Sequence, residues 1–330
     1  MTKEEILVIL KENRDEFISG EELSNKFGVS RAAVWKHIKS LKEDGYNIES
    51  ISRRGYRIIE NADVLTYEEI KNYLETKFVG QNIIHYDTID STNLKAKELA
   101  NDSSIKEGTI ITSEEQTRGK GRLGRIWESP KNTGIWFSII LKPNISPMNV
   151  SNITLLGAAA VNLALSDLNI ESKIKWPNDV LVNSKKVCGI LTEMSAELDE
   201  INYIVMGIGI NVNMTENDFS EELRKKATSL KSEYKKQFCR KQILAKILNY
   251  FEKMYIEYVE NNSLEQCINV CRDNSILIGR EVYIKERGQS NKIKVIDINS
   301  EGHLVVERDN NSIDEIISGE VSIDGVYGVL

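Results

Sequence analysis

The chain has little of what would make it a metalloprotein, a secreted protein or a membrane protein. Its four cysteines, Cys188, Cys239, Cys267 and Cys271, form no CxxC pair, and three histidines, His37, His85 and His303, are scattered along 330 residues. That spacing argues against a zinc site and points to buried, reduced thiols, so no protein-bound metal is expected. Cys267 and Cys271 stand at the i, i+4 spacing of one packed helix face. No apolar run approaches the roughly 18 residues of a membrane span, and Met1-Thr2-Lys3-Glu4-Glu5 has none of the features of a signal peptide. A cytoplasmic location is expected. Basic excess is missing as well, since the net charge is -7, which argues against a protein that coats nucleic acid along its whole surface. There is no internal repeat and no low-complexity tract. What remains is an ordinary globular composition, 41% hydrophobic and 28% charged, with length for two or three domains.

The charge is unevenly spread. From Lys26 to Arg57 there are eight Lys/Arg against three Asp/Glu, a local basic patch on an acidic chain. Residues 3–13 read as an amphipathic helix through Ile6, Leu7, Ile9 and Leu10. Ser19-Gly20-Glu21-Glu22 opens a second helix with Leu23 and Phe27, closed by Gly28. Ser30 caps a third, Arg31 to Glu43, with Val34, Ile38 and Leu41 inward and Arg31, Trp35, Lys36, Lys39 and Lys42 outward. Two alternating strands, Asn47–Ser52 and Tyr56–Ile59, follow around the turn Arg53-Arg54-Gly55. Three helices and a basic hairpin make a winged helix-turn-helix. Its third helix is suited to the major groove and Arg53 and Arg54 to phosphate or minor groove. The candidate DNA contacts are Ser30, Arg31, Trp35, Lys36, Lys39, Arg53 and Arg54. A protein-docking winged helix with a merely solvated charged face is the alternative.

Glu60 to Leu65 reads as a linker, and from Thr66 to Cys271 helices alternate with apolar strands. Strands are expected at Ile83–Ile89, Gly108–Glu115, Gly134–Lys142, Ile174–Val182, Lys186–Ser195 and Tyr203–Met214. Helices are expected at Tyr67–Lys77, Thr92–Ala100, Val150–Leu168 and Lys241–Glu260. Asn183-Ser184 marks a two-residue hairpin turn. Beyond residue 275 only short strands are expected, at Ile276–Tyr283, Lys292–Ile298, His303–Arg308 and Ile316–Ile323, as in a small β-barrel. The expected class is therefore α+β and multidomain. A winged helix-turn-helix (1–60) precedes a central mixed α/β sheet domain (66–271) and a C-terminal SH3-like β-barrel (275–330).

Gly119-Lys120-Gly121-Arg122-Leu123-Gly124-Arg125-Ile126-Trp127 alternates glycines with cations. Bare backbone N–H groups and permanent charge suit a polyanion. The spacing also spells the G-x-G-x-x-G of a dinucleotide fold, which needs a helix directly behind the loop and an acidic residue about 20 positions on. Pro130 and Lys131-Asn132-Thr133-Gly134 follow instead, and no Asp or Glu occurs between Glu128 and Asp167. A loop that wraps a triphosphate or an adenylate is the better account.

Other segments hold polar groups that a core would not choose. Asp90-Ser91-Thr92-Asn93 can cap a helix or meet a ligand at its start. Gln116 ends a strand, where an amide can read a ureido or amide group or simply face solvent. Lys175-Trp176-Pro177-Asn178-Asp179 crowds an aromatic, a proline and two short polar groups into one turn. Lys186 heads the otherwise apolar Val187-Cys188-Gly189-Ile190-Leu191, a place for a carboxylate or phosphate partner. Gly207-Ile208-Gly209-Ile210-Asn211 again allows close backbone approach. Trp127 can stack on a nucleobase or belong to the core.

On these motifs the chain resembles the biotin–protein ligases. Gly119–Arg125 matches their adenylate loop and Lys175–Asp179 their Lys-Trp-Pro-Asn-Asp element. Ser91-Thr92-Asn93 matches their biotin-contacting turn, and Gly207–Asn211 their Gly-x-Gly-Ile-Asn strand. With the winged helix in front, the match is to the bifunctional form, ligase and biotin-operon repressor in one chain, over essentially the whole length. Lys120 stands where arginine is frequent, and Leu123 replaces a second basic residue. The resemblance implies two steps, formation of biotinoyl-5′-AMP from biotin and MgATP, then transfer to a lysine of a biotin carboxyl carrier protein. It implies Lys186, Arg122 and Asp179 as catalytic residues. Biotin would meet Ser91, Thr92, Asn93, Gln116, Lys120, Gly121, Arg122, Lys186 and Gly189, with Trp136 and Ile190 walling its rings. ATP or adenylate would meet Gly119, Lys120, Gly121, Arg122, Arg125, Trp127, Asn178 and Asn211. The implied partners are the carrier protein, operator DNA, and a second copy of the chain when the adenylate is bound. A lipoate–protein ligase, a ligand-sensing transcription factor without catalysis, and a ligase with a vestigial winged helix are the alternatives.

Overall fold

The structure, a computed structural model, describes residues 2–14, 16–43, 46–59, 63–197, 200–286, 289–317, 319 and 321–322. Residues 60–62 of the expected linker, and residues 287–288, 318, 320 and 323–330 of the expected barrel, lie outside them. The chain divides into two compact units, Met1–Val64 and Leu65–Leu330.

The first unit runs α1 (Lys3–Glu12), α2 (Gly20–Phe27), α3 (Arg31–Glu43), β1 (Ile48–Ile51) and β2 (Gly55–Ile58). Thr2 and Glu5 close a capping box on α1, and Ser19 caps α2, which Gly28 ends in the left-handed conformation at φ 63°. The Ser30 hydroxyl accepts from Ala33 N at 3.2 Å to start α3. Val34, Ile38 and Leu41 of α3 pack with Ile6, Leu10 and Leu23 in one core, leaving Arg31, Trp35, Lys36 and Lys39 exposed on the other face. β1 and β2 pair antiparallel, and Ile18 bridges to Tyr56 as a third short edge. This last contact dictates glycine at position 55, where φ is 114° and a Cβ would lie 2.0 Å from Ile18 O. Gly55→Ala is expected to cost at least about 2 kcal/mol. Ile18 and Tyr56 exchange N–H···O bonds of 2.9 Å, so their amides should lose hydrogen-exchange protection. Unchanged protection would contradict this account of the wing.

The second unit opens with α4 (Tyr67–Ile70), β3 (Ile83–Ile89), α5 (Thr92–Ala100), β4 (Ile110–Gln116), β5 (Gly134–Leu141) and α6 (Val150–Ser166). Next come β6 (Lys173–Lys175), β7 (Asp179–Val182), β8 (Lys185–Glu197), β9 (Glu200–Asn211), α7 (Leu230–Tyr234), α8 (Arg240–Asn261) and α9 (Glu265–Asp273). It closes with β10 (Glu281–Glu286), β11 (Gln289–Ile298), β12 (Leu304–Glu307), β13 (Ile313–Ile316) and β14 (Val321–Ser322). β3 to β9 form one seven-stranded mixed sheet in the order β3-β4-β5-β9-β8-β7-β6, in which β3 and β4 are parallel. One face carries α6, α8 and α9 over a large apolar core. The other carries α5, whose Ala96 and Ala100 pack with Ile111, Ile140 and Val205. The hairpin turn between β7 and β8 is Asn183-Ser184, both at positive φ, the geometry that matches strand twist.

One correction concerns hydropathy. Pro147–Ser166 does reach the length and mean hydropathy, 1.4, of a membrane span. Its run is broken in sequence by Ser151, Asn152, Thr154 and Asn162. Leu155, Leu156, Ala158, Ala159 and Val161 lie in the main core, as a central helix does.

Several expected elements differ in extent; the strand expected over Tyr203–Met214 runs Glu200–Asn211, and that over Lys292–Ile298 starts at Gln289. The helix expected over Tyr67–Lys77 leaves α geometry after Ile70 and continues as one 3₁₀ turn through Tyr73. The buried Glu252 carboxylate accepts the backbone N–H groups of Lys77, Phe78 and Val79 at 2.5, 2.9 and 2.8 Å, which fixes that segment outside a helix. The strand expected over Ile174–Val182 is two strands, parted at Trp176-Pro177-Asn178, where proline supplies no N–H. At Ile276–Tyr283 the strand starts only at Glu281, because the Ser275 hydroxyl takes the Leu277 and Ile278 amides at 3.1 and 3.2 Å. Ile316–Ile323 holds the end of β13 and then β14. The C-terminal strands form a five-stranded antiparallel sheet in the order β13-β12-β11-β10-β14, with no β13–β14 pairing among the described residues. Its Val282, Ile293, Val295 and Leu304 join the main core.

Candidate active site

Two adjoining clefts open on the β5-β9-β8-β7 part of the sheet. The first encloses about 440 Å³, open solvent included, among Thr92, Gln116, Lys120, Trp127, Lys186 and Gly209. The second, about 450 Å³, lies among Arg122, Arg125, Asn178, Asp179, Lys186 and Gly319. Lys186 lines both.

The floor of the first cleft is glycine for steric reasons. A Cβ on Gly207 would stand 2.0 Å from Asn93 Oδ1, and one on Gly209 2.4 Å from Trp127 Nε1. Gly189 has the same relation to Trp127 and to the Lys186 Cε, at 2.8 and 2.9 Å. Side chains there would lift Asn93 and the indole off the sheet. The α5 end of the cleft is tied by hydrogen bonds. Gln116 Oε1 accepts from Thr92 N at 2.9 Å and lies 3.2 Å from its hydroxyl, while Gln116 Nε2 donates to Ser129 Oγ at 2.9 Å. So Gln116 closes the start of α5, and Ser91, in the N-cap position, makes no capping bond with its side chain.

The cationic loop is a small hairpin. Trp127 N donates to Gly119 O at 2.9 Å and Gly121 N to Arg125 O at 2.8 Å. Leu123 takes φ 57° in the 3₁₀ turn Arg122–Gly124. Strand β5 follows rather than a helix, so no dinucleotide fold is formed. Arg122 reaches out of the loop and donates to Asn178 Oδ1 at 2.8 Å and to Gly319 O at 3.2 Å. Asn178 Nδ2 donates in turn to Asp179 Oδ1 and Ile190 O, at 3.1 and 3.2 Å. Trp176 Nε1 donates to Gly302 O at 3.0 Å, fastening the same turn to the C-terminal sheet. The Lys-Trp-Pro-Asn-Asp turn is thus held from three directions, which fixes Asp179 at the start of β7.

Lys186 Nζ lies 2.5 Å from Asp179 Oδ1 and 5.3 Å from the Trp127 ring centroid. The carboxylate aims the ammonium at the seam between the clefts, and the indole face adds a weaker cation–π contact. Burial pushes the Cys188 thiol far above its ordinary range, so the cysteine beside this lysine is inert rather than nucleophilic. Glu193, on the far side of Asn93, titrates below the usual carboxylate range. Burial acts in the opposite sense there, and hydrogen bonds from Lys97 and Asn93 outweigh it.

The structure brings most of the expected site residues together and separates a few. Ser91, Thr92, Asn93, Gln116, Lys120, Gly121, Lys186 and Gly189 line the first cleft, and Arg122, Arg125, Asn178 and Asp179 the second. Trp127, expected beside the nucleotide, stands in the first cleft with the expected biotin residues. Its indole N–H has no hydrogen-bond partner among the described residues. Asn211 lines neither cleft and is buried, donating to Thr228 O at 3.1 Å. Gly119 also lies behind the lining, close against Trp127 O. Trp136 is not a wall of the cleft. It is buried with Met214 and Phe219 and meets Trp127 edge-on at 6.5 Å, and Phe137 is the β5 aromatic among the lining residues. Ile190 does line it. Gly319 and Val321 reach the second cleft from the C-terminal sheet, with no signal in the local sequence.

Residues 86–211 match the biotin/lipoate A/B protein ligase family, and residues 2–57 match an HTH domain model. The Bacillus subtilis bifunctional ligase/repressor BirA is 38% identical over 323 residues, spanning 97% of this chain and 98% of its own. The chain belongs to the bifunctional ligase/repressor family. The Escherichia coli member is 31% identical over 200 residues, 60% of each chain. Among solved structures, an Aquifex aeolicus biotin protein ligase in complex with biotin and ATP superposes with a TM-score of 0.63 at 30% identity. It covers 73% of this chain and 98% of that one.

Proposed function

We propose that the chain is an ATP-dependent biotin–protein ligase whose adenylate product also makes it a repressor of biotin genes. The observation that carries the ligase half is the place of Lys186, the side chain shared by two clefts of different chemistry. One cleft offers amide and hydroxyl groups and an indole, suited to a neutral cyclic urea on an apolar ring. The other offers two arginines and asparagine, suited to phosphate. Joining a carboxylate to a phosphate brings two anions together, and a fixed ammonium at the seam stabilises the charge that builds between them.

In the first step a biotin carboxylate oxygen attacks the α-phosphorus of ATP. An O–P bond forms, the bond to the bridging oxygen breaks, and pyrophosphate leaves. Lys186 holds the attacking carboxylate and an α-phosphate oxygen, and Arg122 and Arg125 neutralise the phosphates. In the second step a carrier-protein lysine attacks the acyl carbon, the C–O bond to AMP breaks, and an amide remains. Asp179 serves as acceptor for the amine proton or as the anchor that aims Lys186. Among the described residues these clefts contain one carboxylate, Asp179, already paired with Lys186. Protein groups alone do not build a magnesium cage there, and Mg²⁺ is assigned to the incoming ATP as substrate.

The same reading takes the biotin carboxyl carrier protein of acetyl-CoA carboxylase or a related carboxylase as acceptor, and biotin-gene operator DNA as target of Ser30, Arg31, Trp35, Lys36, Lys39, Arg53 and Arg54. It includes a homodimer formed with the adenylate, a cytoplasmic location, and closure of the C-terminal sheet into an SH3-like barrel over 275–330. The domain limits 1–60 and 66–271 belong to the same proposal. The test is transfer of labelled biotin to a carrier domain with and without ATP. ATP-dependent labelling is expected. Labelling with lipoate but not biotin would favour the lipoate ligase, and binding without turnover would favour a pure sensor.

A further inference from the structure

Ser138 is the one hydroxyl in the otherwise apolar strand β5, Gly-Ile-Trp-Phe-Ser-Ile-Ile-Leu. It is fully buried, and its Oγ lies 2.6 Å from Asn93 Oδ1 and 2.8 Å from Thr92 Oγ1. It does not line the first cleft, yet it touches two residues that do.

Proton accounting gives this contact a direction. Asn93 Nδ2 faces two acceptors, Leu191 O at 3.2 Å and Glu193 Oε2 at 2.9 Å. The amide orientation is therefore fixed, with Oδ1 toward Ser138. An amide oxygen cannot donate, so the single Ser138 proton lies on the 2.6 Å contact. The Ser138 oxygen then accepts from Thr92 Oγ1, the nearer of the two acceptors open to that hydroxyl, since Gln116 Oε1 is 3.2 Å away. Thr92 Oγ1 is left with lone pairs, an acceptor toward the cleft. Gln116 is fixed likewise. Its Oε1 takes Thr92 N–H, and its Nε2 donates to Ser129, whose own proton goes to Trp127 O at 3.1 Å. One Nε2 hydrogen of Gln116 remains unused within the protein. The cleft thus presents an acceptor and a donor close together, complementary to the N–H and C=O edge of a cyclic urea.

We propose that Ser138 is a positioning residue that sets this polarity, making Thr92 an acceptor and so selecting a ring with N–H over an isostere without it. The inference rests on the biotin reading of the cleft. Without Ser138, the Thr92 proton loses its 2.8 Å acceptor and can turn into the cleft in competition with the longer 3.2 Å contact to Gln116 Oε1, and Asn93 Oδ1 loses its donor. The effect falls on recognition of the ring, remote from Lys186, and therefore on KM rather than kcat.

The test compares wild type, Ser138→Ala and Ser138→Cys by pyrophosphate release with biotin and with its cyclic carbonate analogue, in which oxygens replace both ureido N–H groups. Ser138→Ala is expected to raise KM for biotin about tenfold, the size of one buried hydrogen bond, with kcat changed less than about twofold. KM for the carbonate should stay near the wild-type value, so the preference between the ligands shrinks by the same factor. Ser138→Cys, close in size but a weak donor, should fall between, and it serves if the alanine variant does not fold. An equal rise in KM for both ligands would reduce Ser138 to a packing role, and an unchanged preference would overturn the proposal. A wild-type enzyme with no saturable response to biotin would instead overturn the reading beneath it.

Discussion

Lys186→Ala should lower biotin- and ATP-dependent pyrophosphate release by roughly 10²–10³-fold, the loss that follows removal of one fixed group facing developing negative charge. The size of the effect rests on the seam. Lys186 is the lysine that borders both clefts, and its ammonium is held by Asp179 at 2.5 Å rather than left to sample rotamers in solvent. A lysine already aimed loses little entropy on meeting substrate. The variant also leaves the Asp179 carboxylate, with 11% side-chain exposure, without this cation, so some loss of folding stability should accompany it. Thermal melting separates the two effects. A folded variant with near-normal pyrophosphate release would remove Lys186 from the mechanism. Lys186→Arg keeps the charge but spreads it over a planar fork, so it should recover only part of the rate.

How much of this was legible in the sequence depends on range. Local chemistry was legible where residues act on their neighbours in the chain. The helix of Arg31–Glu43 could be read from its i, i+4 face, and the β7–β8 turn from Asn183-Ser184. The adenylate-type loop was separable from a dinucleotide loop because Pro130 and Gly134 forbid the helix that the latter needs. Contacts between distant segments were not legible. Nothing near Gly319 announces that its carbonyl meets Arg122, and nothing near Glu252 announces three captured amides 173 to 175 residues away. Trp136 and Trp127 illustrate the same limit. Both are aromatics near the motifs, and only tertiary packing decides that one is core and the other lines the cleft. Asn211 ends a motif, yet its amide is turned to Thr228. Ser138 did leave a trace, a lone hydroxyl amid eight strand residues of which the others are apolar or glycine. That pattern marks a buried polar group in need of partners.

Replacing Arg31 and Lys36 together by alanine should weaken operator binding by roughly 10²–10³-fold and reduce the salt dependence by about two phosphate equivalents. Both cations are exposed on α3, the helix whose opposite face, Val34, Ile38 and Leu41, fills the core of the first unit. Neither side chain supports that core, so the double variant should fold. Biotin transfer should be unchanged, because the ligase clefts are built wholly within residues 65–330 and the first unit has its own core. Two copies joined by the adenylate would meet an inverted-repeat site in a single event. The deficit per subunit is then counted twice, and biotin with ATP should tighten wild-type binding far more than that of the variant. A gel-shift titration against the chain's own biotin-gene promoter and random DNA, with and without biotin and ATP, measures all of this. Equal affinity of the saturated wild type for promoter and random DNA would sink the repressor half and leave the ligase standing. Loss of biotin transfer in the double variant would show instead that the two units are not independent, and the separation of functions argued from their separate cores would fall.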